Sequence, residues 1–293
     1  MNADFRSIVL SDNRSLAYES YGYQNGFPII ALHGLPGSRI WFKTDDDIAT
    51  SLGVHLITVD RPGYGQSDIN PAHSFLSFAR DLNELIQFLD IEEHSILGVS
   101  GGGTFAAAYA FQASHKLKKV GLISTVKPFE SGKPPKEMAF ANRVFFSLAR
   151  FFPTLLRFFL HQQKKALDHK PEDYLISSQK NVAHLCEYDQ IIMQDSEIAE
   201  TMYLHITEAY RNEVNGAVQE AILFTQPWGF ELKSIETQVE LWHGTADTLA
   251  PISMVKEMSQ YFRNCNEHFL VDKGHFISEE DEVWNNMLTS LKE

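Results

Sequence analysis

Residues 94–113 read HSILGVSGGGTFAAAYAFQA. The first six of these form a nearly continuous apolar run, which predicts a short buried strand from His94 to Val99. Thr104 to Ala113 is rich in alanine and aromatic residues, which predicts a helix able to pack closely on its neighbours. A strand that becomes a helix at once must bend sharply, and the glycines flanking Ser100 remove the Cβ atoms that would clash in the bend. Ser100 is left exposed at the tip as a candidate nucleophile. The N–H groups of Gly101 and Gly102 stand at a helix N-terminus, where unpaired donors and the helix dipole favour negative charge, as an oxyanion requires. The motif G-x-S-x-G recurs by chance in about one chain in ten of this length. Its meaning therefore depends on what surrounds it.

Outward from this stretch, Pro28 to Leu32 (PIIAL), His55 to Val59 (HLITV) and Val120 to Ser124 (VGLIS) are further short apolar runs, the pattern of strands buried on both faces. Between them Ser74 to Asp90 carries Phe75, Phe78, Leu82, Leu85, Ile86 and Leu89 at helical spacing. Alternating strands and helices imply right-handed crossovers and an α/β fold, a mostly parallel sheet with helices on both faces. Phe5 to Leu10 and Leu16 to Tyr21, joined through Ser11-Asp12-Asn13-Arg14, predict a hairpin ahead of it. From residue 126 to 234 the pattern is helical throughout, with Pro128, Gly132, Pro134 and Pro135 on entry and Pro227 and Gly229 on exit, as at the hinges of a lid. Strand patterns then return at Val239 to Trp242 and His268 to Val271, with helices predicted over Ile252 to Phe262 and Glu280 to Leu291. The expected organisation is a core of residues 1–125 and 235–293 interrupted by a helical cap over 126–234.

A chain of 293 residues that is 44% hydrophobic can bury a large core. Its formal net charge of -13 argues against nucleic acid or an anionic membrane as the main partner, since both select for a positive surface. Only two cysteines occur, Cys186 and Cys265, without metal-ligand spacing, so free thiols are expected and neither a disulfide scaffold nor a zinc site. The first twenty residues lack a basic segment followed by an apolar one, and a cytoplasmic location is expected.

In an open parallel sheet the loops leaving the C-terminal strand ends converge on one crevice. Four such loops join Ser100. His33-Gly34-Leu35-Pro36-Gly37 can turn a backbone N–H towards the serine, with Leu35 as the expected donor. Asp60 to Ser67 follows the strand ending at Val59. His243 to Asp247 brings a carboxylate, and Asp272 to His275 brings an imidazole. The order Ser100, Asp247, His275, each just past a strand, is what a serine hydrolase needs.

These blocks, in this order, resemble the α/β-hydrolase superfamily with a helical cap, over the whole chain apart from the cap. The resemblance implies Ser100 as nucleophile, Asp247 as acid and His275 as base, with the N–H groups of Gly101 and Leu35 as oxyanion hole and no metal or organic cofactor. It makes the Asp60 to Ser67 loop mainly structural. Serine at position 100 argues against haloalkane dehalogenase and epoxide hydrolase chemistry, whose enzymes carry aspartate there. Proline iminopeptidases are similar in the His-Gly-x-Pro-Gly loop but differ at Leu35 and Gly101, which argues against peptidase activity.

Other residues have simpler readings. His33 and His243 are expected to hydrogen-bond backbone, and Asp272 to shape its turn. Glu130 is a fallback acid. His161, His169, His184 and His205 in the cap are expected at the surface or along the substrate. Asn142 to Leu160 (NRVFFSLARFFPTLLRFFL) holds six phenylalanines with Arg143, Arg150 and Arg157 seven residues apart. It is too short and too charged to span a bilayer, so no stable membrane insertion is expected. A lid helix with its phenylalanines towards the substrate is the simpler account, and an interfacial helix the alternative. Phe145, Phe146, Trp41, Phe42, Phe129 and Trp228 are the expected lining of a pocket for a small, largely apolar molecule. The expected activity is ester hydrolysis through an acyl-enzyme. The alternatives are hydrolysis of a carbon–carbon bond in a diketone, and a ligand receptor or signalling role that retains the triad.

Overall fold

The computed structural model describes residues 5–113, 116–127, 129 and 132–293. Glu130 lies outside them. Eight strands form one sheet in the order β1-β2-β4-β3-β5-β6-β7-β8. They are β1 (Arg6–Val9), β2 (Ser15–Gly22), β3 (Phe27–Leu32), β4 (Val54–Val59), β5 (His94–Val99), β6 (Leu117–Ile123), β7 (Gln238–Gly244) and β8 (Cys265–Leu270). From β4 to β8 every neighbour pair is parallel, whereas β2 runs antiparallel to both β1 and β4. The hairpin thus continues the sheet, with Tyr18 opposite Val59 and Gly22 opposite His55.

Helices α1 (Asp46–Ser51), α2 (Phe75–Phe88) and α3 (Gly101–Gln112) belong to the first half of the chain, and α10 (Ile252–Ser259) and α11 (Asp281–Lys292) to the last part. The apolar core accordingly has two layers. One joins α2, α3 and α10 to Ile30, Leu32, Ile57 and Ile96, and the other joins α1 and α11 to Ile29, Ala31, Leu56 and Leu97. Adjacent strand residues therefore face opposite layers, which is why these strands carry no polar alternation. Helix α3 is buried from Gly101 through Ala110, so it lacks a polar face. A Cβ on Gly102 would run into the Leu32 carbonyl, and one on Gly98 into the Gly102 carbonyl. Glycine at both positions lets β5 turn directly into a helix lying against β3.

Between β6 and β7 the described residues form six α-helices, α4 (Phe140–Phe151), α5 (Pro153–His169), α6 (Pro171–Lys180), α7 (Glu187–Gln194), α8 (Ser196–Ala209) and α9 (Asn215–Phe224). They enclose their own small core around Leu156, Leu160, Leu167, Tyr210, Val214 and Val218. Proline at the first position of α5 and of α6 supplies a helical φ where no intrahelical N–H bond is needed. Buried ion pairs tie this insertion to the sheet. Arg61, in the loop after β4, pairs with Glu220 of α9 at 2.6 Å, and both side chains are fully buried. Arg39 contacts both Asp60 and Glu208 of α8, at 2.7 and 2.6 Å. Among the described residues no helix is long and apolar enough to cross a membrane.

Candidate active site

Ser100 sits between β5 and α3 with φ 54° and ψ -120°, a conformation that side-chain-bearing residues rarely adopt. Its N–H donates to Ile123 O at 2.7 Å, and Thr125 Oγ1 donates to its carbonyl at 3.2 Å. The elbow is thus pinned to the end of the neighbouring strand β6. Ser124, also at positive φ (47°), donates its hydroxyl to the His275 carbonyl at 2.7 Å.

Asp247 is buried and its carboxylate is fully used. Oδ1 accepts the N–H groups of Leu249 and Ala250 at 2.7 and 2.8 Å. Oδ2 lies 2.8 Å from His275 Nδ1 and 3.3 Å from His243 Nε2, which is also 2.7 Å from the Ala250 carbonyl. Burial alone would raise the Asp247 pKa, but His275 and His243 outweigh it and hold the carboxyl below the usual range. Burial likewise opposes a charged His275, yet the attraction of Asp247, its hydrogen bond and the charge of Asp189 hold that imidazole above the ordinary histidine value. An ionised Asp247 places the His275 proton on Nδ1 and leaves Nε2 free to accept one.

Asp189 is a residue at the candidate site that sequence reasoning missed. It lies on α7, fully buried, and accepts the backbone N–H groups of His275 and Phe276 at 2.9 and 3.1 Å. A Cβ on Gly274 would overlap this carboxylate. Asp189 therefore fixes the histidine loop from the insertion side. Nothing local marks it in the sequence, because its partners lie 86 and 87 residues away.

Arg61 was missed too. Its guanidinium donates to the His33 carbonyl and, at 2.8 Å, to the Gly34 carbonyl, holding the loop that leads to Leu35. His33 Nδ1 lies 2.8 Å from the Gly34 carbonyl, and its Nε2 accepts the Arg61 N–H at 3.4 Å. Burial and the nearby Arg61 charge push the His33 pKa well down, so this ring is neutral. Asp60 accepts the N–H groups of Arg39 and Gln66 at 2.6 and 2.9 Å. Asp272 turns the chain after β8 at φ 59°.

A cavity of about 470 Å³ joins these pieces; Leu35, Trp41, Ser100, Gly101, Phe145, Phe146 and His275 all line it. Among the described residues the Leu35 and Gly101 N–H groups have no hydrogen-bond acceptor. Phe129 and Trp228 are not in the lining. Phe129 packs behind Phe146, ring centres 5.0 Å apart, and Trp228 packs on Phe75 and Phe230. Phe42 stacks on Trp284 in the core. Phe151, Phe152, Phe158 and Phe159, expected towards the substrate, are exposed instead, because α4 and α5 turn Phe146, Leu156 and Leu160 inward. In their place the insertion supplies Met202, Ile206 and Phe224. It also supplies His205, stacked on Trp41 at 4.3 Å and driven by burial to a pKa of about 3.

A family model described as the alpha/beta hydrolase fold matches residues 28–282. The chain belongs to the α/β-hydrolase fold family. This α/β-hydrolase is 25% identical over 291 residues to the AB hydrolase superfamily protein YisY of Bacillus subtilis, covering 97% of each chain. It is 30% identical over 124 residues to a non-heme chloroperoxidase of Streptomyces lividans, a match covering 42% of this chain and 45% of that protein. The alignment thus spans less than half of that relative. Among solved structures it is similar to an esterase from Exiguobacterium antarcticum, with a TM-score of 0.72 at 20% identity over 98% of both chains. At that identity the likeness is one of fold.

Proposed function

We propose that this α/β-hydrolase is a serine hydrolase that cleaves an ester of a small, largely apolar molecule through an acyl-enzyme. One observation carries the reading: Ser100, held at positive φ, lines the same cavity as His275, whose Nδ1 is 2.8 Å from the buried Asp247. Ser100 Oγ attacks the ester carbonyl carbon while His275 Nε2 takes its proton. The Leu35 and Gly101 N–H groups stabilise the oxyanion, at about 3 kcal/mol per donor. The tetrahedral intermediate collapses, the alkoxide leaves with the proton from His275, and the acyl group stays on Ser100. Water, deprotonated by His275, then releases the acid and restores the serine. The insertion acts as a cap that walls the cavity and holds the histidine loop.

A fluorophosphonate probe and short p-nitrophenyl esters test this. Wild-type protein is expected to label at Ser100 and turn over, and Ser100→Ala to lose label and at least about 10⁴-fold in kcat/KM. Equal labelling and hydrolysis by Ser100→Ala would remove the nucleophile assignment. Labelling at Ser100 with preferential turnover of a β-diketone would replace ester by carbon–carbon bond hydrolysis. Saturable ligand-induced stabilisation without turnover would point to a receptor.

A further inference from the structure

Helices α4 and α5 are apolar on two sides. Towards the cavity they present Phe145, Phe146 and Leu160. On the other side Phe140, Phe151, Phe152, Phe158 and Phe159 are 72%, 53%, 62%, 55% and 51% exposed. Single exposed phenylalanines are ordinary, but here five are gathered on two consecutive helices and the residue between them. Phe140, Val144, Phe151 and Phe152 border one shallow groove. Leu155, Phe158 and Phe159 continue it on α5 at i, i+3, i+4 spacing.

The charge around this face sets it apart from the rest of the molecule. Residues 138–167 hold Arg143, Arg150, Arg157, Lys164 and Lys165 and no Asp or Glu, in a chain whose net charge is -13. Lys164 pairs with Asp168, just beyond this stretch, at 2.9 Å, and Arg150 donates to the Thr225 carbonyl at 3.4 Å. The guanidinium groups of Arg143 and Arg150 lie over the rings of Phe140 and Phe151, 5.6 and 5.4 Å from their centres. Cations and aromatic rings therefore share one surface.

We propose that this face docks the protein on an anionic lipid surface, with the exposed phenylalanines at the boundary of headgroups and acyl chains and the exposed Arg157 and Lys165 against lipid phosphates. Exposed aromatic residues among basic ones, with the one acidic residue of the two helices, Asp168, paired to Lys164 at 2.9 Å, suit an interfacial helix pair. The net acidic remainder is repelled by such a surface, which favours approach by this face. A second copy on the same two-fold face would instead set the exposed Arg157 and Lys165 against their own copies. Docking does not depend on the chemistry at Ser100. Its consequence for access follows from placement: the docked face and the cavity wall are opposite sides of the same two helices, so an apolar substrate dissolved in the lipid lies next to the cavity.

Sedimentation of the 293-residue protein with vesicles tests this, comparing pure phosphatidylcholine with an equal mixture of phosphatidylcholine and phosphatidylglycerol. The wild type is expected to bind the mixed vesicles, more weakly as salt rises, and to bind pure phosphatidylcholine at least about 10-fold less. Phe151→Ser with Phe158→Ser should lower the partition coefficient about 10-fold or more, and Arg157→Glu with Lys165→Glu by a similar factor. Unchanged melting temperature and probe labelling show that both variants are folded. Equal binding to both vesicle types, binding unaffected by either double variant, or no vesicle binding would each overturn the proposal. If, without vesicle binding, the wild type is a dimer in size-exclusion chromatography that the phenylalanine variant splits, the face is an interface between copies.

Discussion

The sheet and the helical insertion use phenylalanine and arginine in opposite ways. In the sheet half Phe75, Phe78 and Phe105 are almost fully buried against one another. Arg39 and Arg61 are buried with them, paired to carboxylates. In the insertion five phenylalanines stand in solvent, with arginines among them. Residue type does not decide inside from outside; the neighbours available at that position do. The sheet is held by ladders and a two-layer core, whereas the insertion joins it through apolar contacts, such as Phe224 on Phe75, and through buried polar ones. Three of these touch loops at the candidate site: Arg61 with Glu220, Arg39 with Glu208, and Asp189 with the amides of His275 and Phe276.

The sharpest contrast is chemical, since the reacting groups are assigned to the sheet and only their supports to the insertion. Asp247→Asn is expected to keep the fold and lose about 10⁴-fold in kcat/KM, because an amide cannot stabilise the imidazolium and can select the wrong tautomer. A loss below 10-fold in steady-state ester hydrolysis would break the contrast. Next in size is the anchor. Glu220→Gln leaves Arg61 buried without its counter-charge and should lower the unfolding free energy by about 3–5 kcal/mol in urea titrations. The exposed Arg263–Glu236 pair is the control, and its removal should cost less than about 1 kcal/mol. Similar small losses for both would mean that the insertion is held by packing alone. Because burial, which raises the Glu220 pKa, is outweighed by Arg61 and His73, that pKa falls to about 2. The pair's stabilisation is therefore complete above the unfolded glutamate value and is lost only as pH falls towards 2.

The smallest effect is the most diagnostic. Asp189→Asn should cost about 10-fold in kcat/KM. It should also move the acid limb of the pH–rate profile to lower pH. Activity needs neutral His275, and the negative charge of Asp189 helps hold that imidazole above the ordinary histidine pKa. Removing the charge lets the proton leave at lower pH. A loss of rate with an unmoved acid limb would reduce Asp189 to a purely structural support.

Much of this was legible in the sequence where both faces of a strand are buried. The central strands show as apolar runs, and the loops of Ser100, Asp247 and His275 could be located because parallel strands end on one side. Strand β8 was read at His268 to Val271 but runs from Cys265 to Leu270. It is an edge strand with one neighbour, and Asn266 and Glu267 are exposed, so it has no apolar run at its start. The hairpin was legible from its turn, but the pairing of β2 with β4 was not, since nothing local encodes a partner on the other edge. The anchors were invisible for the same reason: Arg61 and Glu220 are 159 residues apart. In α4 and α5 phenylalanines occupy both faces, and periodicity cannot choose between two apolar faces.

The carboxylate of Asp189 occupies the space that a Cβ on Gly274 would need. Exchange of segments between this chain and a relative is constrained by that contact. A chimera that exchanges the insertion alone would give the histidine loop a new roof without its acceptor, leaving two buried amides unanswered and a gap beneath Gly274. A chimera that moved the loop alone, with any larger residue at 274, would collide with the old roof. The smallest exchangeable unit is therefore a discontinuous one, the insertion together with residues 274–276, and shuffling by contiguous segments would separate its two halves.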